Sequence, residues 1–480
     1  MTIQSVKFEI GDTLGQICCR RSPDQPDKGC LSSTMAHAQG TRDINQFQRQ
    51  YQQSYDAFKA KGLKLNLTRG KPSSEQLDLS VELLSLPGAT DYLAEDGTDC
   101  RNYGNLQGIA EARRLFSAML GAAPEQVVVG NNSSLSLMHD AVVYSFLKGT
   151  CDSAAPWSQQ GEIAFLCPVP GYDRHFRICE DYGVRMVPVP LGEDGPNMDE
   201  VERLVASDAS LKGMWCLPKY SNPTGAVYSD AVIERLAAMK TAAADFRIYW
   251  DNAYAVHHLT DERIEIANII ERCARHGNPN RPFVFASTSK ITLAGAGLAL
   301  FASSPENVKW LLARFVPRTI GPDKINQLRH VRFLKNEAGI LQLMDKHRAV
   351  LAPKFQKVLD IFDAKLSHVA DVEWTRPKGG YFITLYVPQG CAQRVVTLAK
   401  EAGIELTPAG ATHPHGEDPD DRTIRIAPTF PVLSEVAQAA EGVALCVLLA
   451  TAEKSAKRLA DMLREQAEFG QTAGLTPSVP

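Results

Sequence analysis

Several short polar clusters follow apolar runs, and their side chains carry the chemistry this chain can offer. Lys290 closes Ser287-Thr288-Ser289-Lys290, ahead of Gly295 and Gly297; a lysine amine is a nucleophile and base once its pKa is lowered. Asp251 ends the run Phe246–Trp250, with Tyr254 three residues on, and Asn222 lies in Ser221-Asn222-Pro223-Thr224-Gly225. Gly130-Asn131-Asn132-Ser133-Ser134 precedes a helical pattern, where backbone N–H groups and small hydroxyls form a phosphate cradle. Arg425, in Ile424-Arg425-Ile426-Ala427-Pro428, brings a planar fork that meets a carboxylate with two parallel bonds. Taken singly, each has a plain structural reading: a solvated lysine, a strand-end cap, a turn, a helix cap.

The elements that must position them alternate in type. Val127–Val129, Ile163–Cys167, Met214–Leu217, Phe246–Trp250 and Phe283–Ala286 read as buried strands, and helical patterns lie between several of them, such as Leu135, Met138 and Val142 closed by Gly149. This predicts an α/β fold with a largely parallel central sheet. Ligands bind beyond the C-terminal strand ends of such sheets, which is where the polar clusters fall. A first helix is expected from an N-cap at Asp43, with Ile44, Phe47, Tyr51, Tyr55 and Phe58 on one face and Gly62 as its stop. After Gly321 the pattern predicts a long helical stretch from Ile325 to Leu366. Strand-like segments at Tyr381–Tyr386 and Thr423–Ala427 and a helix-rich end follow. The expected division is an unfolded extension at 1–35, with Met35 as an alternative start, then 36–90 contributing to a small α+β domain. A large domain at 91–321, an interdomain helix and small domain at 322–465, and a tail at 466–480 complete it.

Composition narrows the function classes. The formal charge, 51 − 55 = −4, supplies no cationic excess for nucleic acid. No unbroken apolar run reaches the roughly 20 residues that span a bilayer, and the best, Val443 to Ala450, follows Glu441. Eleven cysteines without CxxC pairs suit a reducing cytoplasm rather than a disulfide framework. No metal site is expected.

Taken together and in this order, Asn-Pro-Thr-Gly, Asp-x-x-Tyr, Ser-x-Ser-Lys and a late Arg resemble the fold-type I pyridoxal-phosphate enzymes, specifically class I/II aminotransferases. The likeness runs from about Leu65 to Pro431. "LNLTRGKPS" (which contains Gly70), "PVPGYDRHF", "STSKITLAGAGLA" and "RIAPTFP" are similar to a bacterial branch of aspartate aminotransferases. The resemblance implies that Lys290 bonds covalently to the cofactor aldehyde and later acts as general base. Asp251 would pair with the protonated pyridine nitrogen, while Tyr254 and Asn222 would bond the ring's phenolic oxygen. Tyr172 would stack on the ring, and Ser133, Ser134, Ser287, Ser289 and Asn132 would bind the phosphate. Arg425, with Asn222 and Gly70, would receive the substrate, Arg425 taking its α-carboxylate. Tyr103, in Tyr103-Gly104-Asn105-Leu106-Gln107-Gly108, matches a position that in relatives reaches the neighbouring subunit's phosphate, which implies a homodimer; core packing is its competing reading.

One position departs from the family. Many relatives carry an arginine eight residues after the lysine, bound to the phosphate; here it is Leu298. Thr292, serine hydroxyls, backbone amides or a distant cation would have to compensate. For a distal substrate carboxylate, Arg69, Lys71, Arg174 and Lys219 are the candidate cations. The expected activity is transamination, aspartate and 2-oxoglutarate favoured. A β-lyase or decarboxylase on the same scaffold is the alternative. A cofactor-sensing transcription regulator is disfavoured because no basic helix-turn-helix precedes the fold.

Overall fold

In a sheet buried on both faces, consecutive apolar side chains point to opposite sides, and the apolar runs of this chain do so. The computed structural model describes residues 46–68 and 70–473, the last eight as backbone only. Its strands, in chain order, are β1 (Leu65–Asn66), β2 (Val127–Val129), β3 (Ala164–Val169), β4 (Arg185–Gly192), β5 (Gly195–Pro196), β6 (Leu211–Cys216), β7 (Arg247–Asp251), β8 (Pro282–Ser287), β9 (Ala299–Ala302), β10 (Glu373–Trp374), β11 (Ile383–Tyr386), β12 (Ile404–Glu405) and β13 (Thr423–Ile426). Eight form the main sheet in the order β2-β9-β8-β7-β6-β3-β4-β5. Met214, Ile248, Trp250 and Val284 bury on one face; Trp215, Tyr249, Phe283 and Phe285 bury on the other.

The sheet is mixed. β4, β3, β6, β7 and β8 run parallel, while β9 lies antiparallel between β2 and β8, and β5 is antiparallel to β4. The chain leaves β3 outward to β4, then returns to lay β6 on β3's other side. That reversal is the crevice where α/β sheets take ligands.

The smaller lobe holds an antiparallel sheet, β10-β11-β13, and a parallel pair, β1-β12, through which the N-terminal segment joins it. The stretch from Ile325 to Leu366 is two helices, Lys324–Leu334 and Glu337–Leu366. Lys335 between them has φ +64°, and Asn336 caps the second helix by accepting from the Gly339 N–H at 3.0 Å. A Cβ on Gly339 would stand 1.9 Å from the Leu334 carbonyl oxygen, so the break requires glycine.

The last helix runs Leu433–Ala473, past the point where a tail was expected from 466, because helix-forming residues continue there. By length and average composition its Leu433–Glu465 part could span a bilayer, although no unbroken apolar run in it is that long. Yet 61% of its most apolar window is buried, and Val436, Ala440, Val443 and Val447 pack in the small-lobe core. It is a core helix. The first helix is described over 46–59; its expected cap Asp43, Ile44, the extension at 1–35 and Arg69 lie outside the described residues.

Candidate active site

β6, β7 and β8 deliver Asn222, Asp251 and Lys290 to the C-terminal edge of the sheet. Asp251 is the last residue of β7, 3% exposed, on the sheet face of Tyr249. Its Oδ2 accepts from His175 Nε2 at 3.1 Å. A carboxylate only accepts, so the imidazole carries its proton on Nε2. His175 is clamped flat on Trp215, ring centroids 4.3 Å apart, and Tyr172 meets it edge-on at 5.0 Å. Asp251 Oδ1 is buried without a partner. A buried carboxylate oxygen with no donor is costly, so the site suits a ligand bringing a cationic N–H.

Lys290 lies in the loop after β8. Its Nζ stands 4.8 Å from the centre of the Tyr254 ring and 6.0 Å from that of Tyr381. Burial lowers its pKa, with the charge of Asp251 opposing the shift. The amine is thereby readied as a nucleophile. Burial raises the Tyr254 phenol well above its ordinary value and that of Tyr172 to about 12, so both are hydroxyl donors at neutral pH.

The lysine's backbone is held by a buried network with no counterpart in the sequence reading. Gln76 Nε2 donates to His347 Nδ1 at 3.0 Å and to Tyr381 Oη at 2.9 Å. His347 Nε2 then donates to the Ile291 carbonyl at 2.9 Å, and Tyr381 Oη to that of Lys290 at 3.5 Å. His257 Nε2 reaches the Lys290 carbonyl at 3.3 Å. Burial lowers His347 to about 4, so it is neutral with the proton on Nε2. Gln76→Leu would leave a buried ring nitrogen and hydroxyl short of a donor. Destabilisation of about 2–4 kcal/mol is expected, read by chemical denaturation.

On the phosphate side, Ser133 is the N-cap residue of helix Ser134–Lys148 but makes no capping bond, and the first turn carries no acidic residue. The helix start is therefore open to an anion. Asn132 clips this loop to the lysine loop: its Oδ1 accepts from Ser289 Oγ at 3.2 Å, and its Nδ2 donates to the Ala294 carbonyl at 3.0 Å. Ser134 and Ser287 are buried beside it. Thr292 is not available as a substitute for the missing arginine. It is fully buried and its hydroxyl lies 2.9 Å from His330 Nε2. Leu298 is core, its N–H donating to Thr288 Oγ1.

Arg425 is 7% exposed. Its Nη1 donates to Asn222 Oδ1 at 3.2 Å and to Asp173 Oδ1 at 3.0 Å, and its Nε and Nη2 face Thr407 Oγ1 at 3.4 and 3.3 Å. Asn222 thus meets the guanidinium, a contact not expected from sequence. The Phe382 ring lies 5.1 Å from Arg425, and Gly70 packs on the same ring: a Cβ there would sit 2.5 Å from Phe382. Tyr103 is 77% exposed, which overturns core packing, and Lys324 Nζ pins its loop through the Asn102 and Gly104 carbonyls. Of the distal cations, Lys71 stacks on Phe430, Arg174 is exposed, and burial lowers buried Lys219 to about 8.

Sequence reading missed His175, Asp173 and Gln76. The signal for the first two was their place in Pro170-Gly171-Tyr172-Asp173-Arg174-His175, directly after a strand. Gln76 carries only a Ser73-x-x-Gln76 capping box, which is present here. The unpartnered Asp251 oxygen, the deprotonation-prone Lys290 and the open helix start fit pyridoxal phosphate.

The family profile described as aspartate amino-transferase matches residues 40–459. An aspartate aminotransferase of Corynebacterium glutamicum is 52% identical over 410 residues, covering 85% of this chain and 95% of that one. The crystal structure of an aspartate transaminase from the same organism superposes with TM-score 0.84 at 51% identity, covering 86% of this chain and 97% of that chain. At 22% identity and TM-score 0.67, the α-aminoadipate aminotransferase LysN of Thermus thermophilus, complexed with N-(5'-phosphopyridoxyl)-L-leucine, shares the fold; 81% of this chain and 93% of that one are covered.

Proposed function

The chain belongs to the aspartate amino-transferase family, and on that premise we propose that it moves the amino group of aspartate to 2-oxoglutarate. It is a pyridoxal-phosphate-dependent aminotransferase of fold type I. Bound pyridoxal phosphate supplies an electron sink for the charge that develops when the substrate's Cα proton leaves. The observation that carries the reading is the pairing at neighbouring strand ends: an aspartate with one free buried oxygen beside a lysine whose amine burial favours as neutral.

In this reading Lys290 would hold the cofactor through its amine and, with that amine free, would move the proton at the substrate's Cα. Asp251, oriented by His175, keeps a proton on the ring nitrogen. Tyr254 and Asn222 donate toward the ring's phenolic oxygen, and Tyr172 covers one ring face. Ser133, Ser134, Ser287, Ser289 and Asn132, with the helix start behind them, take the phosphate. Arg425 takes the α-carboxylate in both half-reactions, beside Asn222 and Gly70. The large lobe is assigned to 91–321 and the interdomain helix and small lobe to 322–465, with 36–90 contributing to the small lobe; the β1-β12 pairing supports joining the N-terminal segment to it. A homodimer is supported by large apolar side chains left exposed in the single chain. Tyr103 is 77% exposed, Ile320 64%, Val316 66% and Leu84 69%, and Gly321 packs on Gly104, which brings the loops of Ile320 and Tyr103 together. A partner would bring its Tyr103 loop to this site. Eight free cysteines among the described residues suit the cytoplasm.

Purified holoenzyme given aspartate and 2-oxoglutarate should form one glutamate per oxaloacetate. Ammonia or carbon dioxide in place of glutamate would support lyase or decarboxylase chemistry; faster turnover of another amino donor would overturn the aspartate assignment alone.

A further inference from the structure

We propose that Asp173 occupies the carboxylate-binding edge of Arg425 in the free enzyme, so that a substrate binds by exchanging its own carboxylate for this internal one. The inference rests on Arg425 being the α-carboxylate clamp and adds a residue that sets its affinity. A guanidinium has five N–H donors. Both on Nη1 are used, by Asp173 at 3.0 Å and Asn222 at 3.2 Å. The Nε and Nη2 edge faces Thr407, whose own hydroxyl donates to the Thr68 carbonyl at 2.8 Å. Phe382 against the guanidinium limits its tilt. A two-point grip on an incoming carboxylate needs Nη1 together with Nη2, so the Asp173 oxygen must leave.

The structure gives the displaced group somewhere to go. Asp173 is the first residue of helix Asp173–Asp181, where a carboxylate is favoured by the free N–H groups. It is 37% exposed, while Arg425 is 7% exposed. It also lines a cavity of about 320 Å³ with Arg174, Arg177, Glu180 and His415; Arg177 is already paired with Glu180 and Asp181, so the charge can turn toward Arg174 and water. Exchange keeps the buried guanidinium paired in both states, avoiding the cost of an uncompensated buried charge. It also selects: a ligand without a carboxylate has nothing to offer in exchange.

The test is the binding of maleate, a dicarboxylate with no amine to react, to holoenzyme by titration calorimetry. Asp173→Asn keeps the side chain's size and removes the competing charge, and maleate should bind roughly tenfold more tightly. Asp173→Ser, if the first variant folds poorly, should shift affinity in the same direction. Unchanged or weaker maleate binding in folded variants overturns the proposal. Arg425→Gln separates the two readings. If it abolishes maleate binding while Asp173→Asn has no effect, only the exchange fails; if it leaves maleate binding intact, the clamp assignment fails with it.

Discussion

Lys290→Ala should reduce turnover by about 10⁴-fold or more, because it removes the group that anchors the cofactor and the base that moves the Cα proton. Positioned general acid–base catalysis alone contributes about 10²–10⁴-fold, and loss of covalent attachment adds to it. The amine sits 4.8 Å from the centre of the Tyr254 ring, and the loop is held through its backbone carbonyls by Tyr381, His257 and His347. Truncating the side chain leaves those bonds in place, so the variant should fold. The checks are single-turnover kinetics with aspartate and the visible absorption of the reconstituted protein, whose lysine-dependent band should be absent. Retained turnover with normal folding would remove Lys290 from the mechanism.

Asp251→Asn should cost about 10²–10³-fold in kcat, the scale seen when one preorganised electrostatic contact at the reacting centre is lost. An amide of the same shape can still accept from His175 Nε2, now 3.1 Å from Oδ2, so the stack on Trp215 should survive. What it cannot supply is the negative charge that keeps a ring nitrogen protonated. Cofactor affinity should fall as well, measurable by equilibrium dialysis, while the thermal midpoint stays within a few degrees. A variant with full kcat would show that the charge of Asp251 is dispensable. The contrast with Gln76→Leu is instructive, since that change acts on stability through unsatisfied buried groups.

Much of the scaffold was legible because it follows from periodicity. Five apolar runs became β2, β3, β6, β7 and β8, each within a few residues of its predicted bounds. The antiparallel insertion of β9 and the outer strands β4 and β5 were not, since short apolar runs carry no sign of direction or neighbour. The single long helix expected after Ile325 broke at Lys335 because one residue in the left-handed region and one cap outweigh a continuous apolar pattern. Thr292 could be offered for the phosphate only while its burial and its contact with His330 were unknown.

By itself the amino-acid sequence determined the reactive groups and their order, because a strand followed by a polar turn places its next residues at one edge of a parallel sheet. Lys290, Asp251 and Asn222 could be placed on that ground, while Arg425, inside the antiparallel strand β13, was named from the family resemblance. Only the tertiary structure decided who stands behind each of them. His175 turns toward Asp251, Gln76 meets His347 behind the lysine loop across 271 residues of chain, and Asp173 meets Arg425 across 252. Such partners are chosen by burial, where a polar group must find its complement among whatever the packing brings near, and no local spacing encodes that choice.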